Sequence, residues 1–170
     1  MSALPNARPI TIEEFENYPE FDGIQELLDG VVVEMPPTKL RHNDIVQAIE
    51  AILLRHFPRK RVRVEAGFLI RRNCPQPDLA VTHPDQGTER GWLVGAPLVA
   101  IEVASKGNTP DELEFKKNLY LANGAQEVWV VYDKTRSIVV HAGDEAVSHR
   151  ADFTSGALGI EISIAEVFAD

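Results

Sequence analysis

The run from Leu98 to Ala104, LVAIEVA, constrains this chain more than any other stretch: six of its seven positions are apolar and they do not alternate with polar ones. A strand with one face in water alternates, so a run like this one has to be covered on both faces. The segment behind it, TPDELEFKKNLYLANG, has the marks of a helix with defined ends. Thr109 is placed to cap it, Pro110 to open it, Glu112 to complete a capping box and Gly124 to stop it. EVWVVYD then repeats the buried-strand pattern. Strand, helix and strand in this order predict an α/β architecture: a mixed sheet flanked by helices.

The remaining elements fit around that unit. TIEEFENY predicts a short helix capped by Thr11 and Glu14. IQELLDGVVVEM predicts an N-terminal β-hairpin turning at its Asp-Gly pair. From Asn43 to Phe57, the spacing of Ile45, Val46, Ile49, Ile52 and Leu53 predicts an amphipathic helix. RVRVEAGFLI and PDLAVTH read as strands ahead of the central one, SIVVHA as one behind it, and LGIEISIAEVFAD as a last strand with a helical turn. The expectation is one domain over residues 1–170 with its core at about 40–133, its length being ordinary for a single core.

The apolar runs are all too short to span a bilayer, and MSALPNARPITIEEF lacks a basic-then-apolar leader. With Cys74 the one cysteine, neither a disulfide framework nor a thiolate zinc site is available. A cytoplasmic protein without a membrane partner is expected. The net charge of −9 opposes nucleic-acid binding, yet residues 55–72 carry a local +6, which includes Arg59 and Arg61. That run reads either as a phosphate-facing patch or as a solvated strand and its flanks.

Glu102 lies inside the buried run, where an unmatched carboxylate costs several kcal/mol or more (roughly 3–5). The helix that follows offers a partner. Around its axis Lys116 falls within the apolar arc, between Leu119 and Tyr120, whereas Lys117 falls on the polar side with Glu114 and Asn118. Asp78 opens the PDLAV strand, and if that strand pairs with the central one, Asp78 and Glu102 converge. Two close carboxylates call for a divalent cation, and oxygen-only donors suit magnesium or manganese.

Asp78 after Pro77, Glu102 in a buried strand and a lysine beyond it resemble the PD-(D/E)xK nuclease superfamily. More closely, QELLDGVVVEM, RHNDIV, QPDLAV, IEVASKGNTPDELEFKKNLYLANGAQEVWVV and ISIAEVF resemble the Uma-two-type restriction endonuclease family over roughly residues 11–168. The resemblance implies a restriction-endonuclease-like core and metal-dependent hydrolysis of DNA. It makes Asp78 and Glu102 the metal ligands, and it moves the lysine, absent at Ala104, to Lys116. A symmetric homodimer would suit double-strand cleavage.

Glu26 matches a family acid, which completes the site or is a hairpin carboxylate in water. His42 matches a family histidine, which meets phosphate or makes a structural bond at the start of a helix. Gln76 is a substrate contact or a turn residue, and Lys106 is the rival lysine, beyond where Gly107 ends the strand. Ser105 reads as a turn residue and Tyr120 as core. The alternatives to a nuclease are a binding module that kept the fold without turnover, or a structural ion-pair network.

Overall fold

The computed structural model describes residues 8–170. Helix α1 (Ile12–Glu16) is fastened by the reciprocal Thr11–Glu14 capping box. Strands β1 (Ile24–Leu28) and β2 (Val31–Met35) form the expected hairpin. Its turn residues Asp29 and Gly30 have φ of 50° and 79°, the positive pair that a two-residue turn needs to match strand twist.

Helix α2 (Leu40–Leu54) follows, then the short strands β3 (Val62–Val64), β4 (Phe68–Leu69), β5 (Leu79–Val81), β6 (Thr88–Glu89) and β7 (Trp92–Val94). Next come β8 (Val99–Val103), helix α3 (Pro110–Ala122), β9 (Glu127–Tyr132), β10 (Ser137–Ala142) and β11 (Glu145–His149). The chain finishes with β12 (Phe153–Thr154), β13 (Glu161–Ile162) and helix α4 (Ile164–Val167).

Six strands make the main sheet, in the order β11-β10-β9-β8-β5-β3. β8 and β9 are parallel, with α3 as the crossover between them, and the other neighbours in this sheet are antiparallel. All five residues of β8 are buried, as its lack of alternation requires. Among the described residues no helix is long and apolar enough to cross a membrane.

The two faces of the sheet differ. One carries Leu79, Val81, Ile101, Trp129 and Val131 against α2 and the C-terminal segment. The other carries Ala80, Ala100 and Val128 under Tyr120 of α3, with Phe68 and Leu93 of the small β4-β7-β6 sheet beside them. Ala80 and Ala100 are register partners, so a paired patch of small side chains lies where α3 meets the sheet. Ala100→Leu should overpack this contact, costing about 1–3 kcal/mol. At roughly 2–4 °C per kcal/mol for a chain of this size, calorimetry should record a clear fall in the unfolding midpoint.

Several expectations need correction. α2 starts at Leu40 and ends at Leu54, three residues ahead of the predicted span at each end, although its five predicted core residues are all buried. RVRVEAGFLI is not one strand: Glu65 has φ 49°, and the chain passes from β3 in the main sheet to β4 in the small one. The apolar side of α3 is narrower than its wheel suggests. Lys116 and Tyr120 are the buried residues of this helix, while Phe115 is 36% exposed. β6, β7 and β11 had no expected counterpart.

Candidate active site

Six polar side chains, those of Asp78, Glu102, His42, Glu26, Lys116 and Tyr120, gather where β5 begins and β8 ends. Leu79 lies opposite Ile101 and Ala80 opposite Ala100, so one further step of that register sets Asp78 across from Glu102. Antiparallel partners project to the same face, and the pairing therefore brings the two acids together. Asp78 Oδ2 accepts a hydrogen bond from the Val103 amide at 2.7 Å, and His42 Nε2 lies 3.3 Å from Asp78 Oδ1. His42 is on the first turn of α2, which is how that helix reaches the site.

Glu26 arrives from the hairpin. Leu27 and Cys74 exchange backbone hydrogen bonds of 2.8 and 3.2 Å, tying β1 to the chain that leads into β5. This tie turns Glu26 inward, where its Oε1 accepts from the Gln76 amide at 2.7 Å. The Gln76 side chain turns away, donating to the Glu65 carbonyl. Cys74 itself is a structural thiol: burial first, and the nearby Glu26 charge second, push its pKa to about 12.

Lys116 joins these pieces. Its Nζ lies 2.6 Å from Glu26 Oε1 and 2.6 Å from Glu102 Oε1, with the lysine side chain 1% exposed. One helical turn on, the Tyr120 hydroxyl donates to the same Glu102 oxygen at 3.2 Å. Lys117 meets Glu114 at the surface instead. Glu112 is engaged in the α3 capping box, so it does not serve as the lysine's partner.

The electrostatics follow from two carboxylates on one ammonium, with Asp78 acting on Glu102 beside them. Burial pushes Glu102 up to about 8; Lys116 pulls against this, while Asp78 and Glu26 reinforce it. For Lys116, burial opposes the charge, but Glu102 and Glu26 outweigh it and hold the amine above its ordinary range. The Tyr120 hydroxyl is raised well above its ordinary value, by burial first and then by the charge on Glu102. Burial lowers His42, but Asp78, joined by Glu65 and Asn43, outweighs it and leaves the imidazole raised.

Asp78, Glu102 and His42 also line a cavity of about 320 Å³. Both contacts made by Glu102 use Oε1, which leaves Oε2 uncommitted. Among the described residues no group of three or more His, Cys, Asp or Glu side chains is placed to hold a metal ion. Two carboxylates at an open cavity instead fit a hard cation that keeps waters and takes further oxygens from a substrate phosphate, as magnesium does. The donor set suits zinc poorly.

Two of the remaining sequence candidates, Arg59 and Arg61, lie apart. Arg59 is exposed and 3.7 Å from Glu50, and Arg61 donates to the Thr82 carbonyl at 2.6 and 3.1 Å while lying over the Phe57 ring. Neither lines the cavity. Lys106 does line it, from the turn after β8. Sequence reasoning missed the polar role of Tyr120, whose position four residues after Lys116 was the available signal. It also missed the Val103 amide, which carries no side-chain signature.

A mixed sheet with a parallel strand–helix–strand centre and an acid at the end of its middle strand is a nuclease-type fold. A crystal structure of a putative nuclease belonging to DUF820, from Anabaena variabilis, superposes on it with a TM-score of 0.83 at 19% identity, covering 95% of this chain and 98% of that one. A model of the Uma2 family, described as "Putative restriction endonuclease", matches residues 12–165, and the chain belongs to that family. No curated protein matches it.

Proposed function

We propose that this chain is a nuclease that hydrolyses phosphodiester bonds in DNA with the help of magnesium or manganese. One observation carries the reading: Lys116 Nζ sits 2.6 Å from both Glu26 and Glu102, and Glu102 opens with Asp78 into one cavity. A purely structural ion pair has no need of a second acid, held by His42, at a solvent-accessible opening. Membership of the Uma2 family supports the same reaction class.

Asp78 and Glu102 hold the cation, which when bound supplies positive charge at the phosphate and lowers the pKa of water. Lys116 stays protonated between its two acids and donates toward the attacking water or the charge building on phosphorus. Glu26 keeps the ammonium in place and is itself fixed by the Gln76 amide. Tyr120 orients Glu102, and His42 orients Asp78. Arg59 and Arg61, engaged by Glu50 and the Thr82 carbonyl away from the cavity, take no part in this reading. Cutting both strands calls for two copies of this site, hence a homodimer.

The net charge of −9 favours a second reading, in which the fold binds its partner without turnover. Supercoiled plasmid separates the two. Incubation with magnesium or manganese should yield nicked circles, and chelator should prevent them. Metal binding with no strand scission would move the chain to the second reading.

A further inference from the structure

We infer that Lys39 and Lys106, at the mouth of the carboxylate cavity, hold a substrate phosphate together with the open first turn of α2. The identity of that substrate as DNA rests on the nuclease reading above; the phosphate subsite does not.

The cavity's charges lead to this. Asp133 is matched by Arg41 at 3.0 Å, Asp78 by His42 at 3.3 Å and Glu102 by Lys116 at 2.6 Å. Lys39 and Lys106 also line the cavity, and among the described residues neither makes an ion pair. Its uncommitted charges are therefore two ammonium groups, both exposed and free to close on a ligand. A phosphate entering beside two carboxylates needs such cations, and Arg59 and Arg61 are tied elsewhere.

The helix adds to this. α2 is capped at Lys39, which makes no side-chain capping bond and has no oxygen with which to make one, and its first turn holds no acid. The amides at that end and the positive pole of a 15-residue helix are left for an anion. In the same turn His42 lines the cavity with its side chain 9% exposed, and its Nδ1 has no hydrogen-bond partner among the described residues. Free cations and an uncapped helix meet at one opening, with the buried His42 ring in its lining.

The test uses anisotropy of a fluorescently labelled short DNA duplex, with calcium replacing magnesium so that the probe stays whole. Lys39→Ala/Lys106→Ala should weaken binding about tenfold or more and reduce the slope of log affinity against log salt by about two. Arg59→Ala/Arg61→Ala should change neither by a comparable amount. Unchanged affinity in the lysine variant, or the whole loss falling on the arginine variant, overturns the subsite and leaves the nuclease reading standing. Calorimetry with inorganic pyrophosphate makes the converse separation. Pyrophosphate binding that needs both lysines, in a protein that ignores DNA, keeps the subsite and sinks the nucleic-acid reading. If neither probe binds, the subsite is wrong.

Discussion

Lys116→Met should nick plasmid about 10²–10³-fold more slowly than the wild-type chain, the loss typical of removing one preorganised donor from a reacting centre. It should also be less stable by about 3–5 kcal/mol, because Glu26 and Glu102 would be left buried without their cation. Methionine fills nearly the same space, so the loss is electrostatic and not a cavity effect. Adding Glu26→Gln and Glu102→Gln to Lys116→Met removes the stranded charges. That triple variant should regain most of the stability while remaining inactive, since neutral replacement of a buried ion cluster is often tolerated. Thermal unfolding beside the nicking assay reads both effects. A Lys116→Met midpoint equal to the wild type would mean that the amine does not carry the charge balance of this pocket.

The second large effect concerns the acids. Calorimetric titration with manganese should show binding to the wild-type chain and none to Asp78→Asn or Glu102→Gln. Because burial raises the Glu102 carboxyl from 4.5 to about 8, protons compete with a cation for it, so affinity should climb as pH rises toward 8. Stability without metal should run the other way. A carboxyl whose pKa is higher in the folded state contributes fully below its unfolded value, and the contribution is lost as pH rises through the folded one. The window here is 4.5 to about 8. Glu102→Gln cannot ionise, and Lys116 keeps Glu26, so the variant should gain stability relative to the wild type across that window and hold the gain above it. Such a gain fits the trade between stability and activity expected at a reacting site. Full manganese binding by Asp78→Asn would reject the two-acid site.

Much of this arrangement is written locally in the chain. The Thr11 and Thr109 capping boxes, the Asp-Gly hairpin and the buried run of β8 each depend on residues a few positions apart, and each forms as its pattern predicts. The inward turn of Lys116 belongs to the same class, because one helix fixes which of two adjacent lysines faces the sheet. The exposure of Phe115 marks where this reasoning stops. A wheel shows which side of a helix is apolar, but how much of that side is covered depends on what lies opposite, and here the alanine patch draws Tyr120 and Lys116 down onto the sheet.

The basic run over residues 55–72 illustrates the same limit. Its charges look like one patch in sequence, but the chain reverses at Glu65, and Arg55, Arg61 and Arg72 end on Glu166, the Thr82 carbonyl and Asp29. Sequence alone determined the capping boxes of α1 and α3, the hairpin turn, the buried β8 run and which of two adjacent lysines faces the sheet, since those follow from short-range periodicity and capping. Tertiary structure alone decided that Glu26 joins Lys116, that Tyr120 shares Glu102 and that Lys39 and Lys106 rim one cavity. These contacts join segments up to 90 residues apart, and strand register and the Leu27–Cys74 tie set them, which no local pattern encodes.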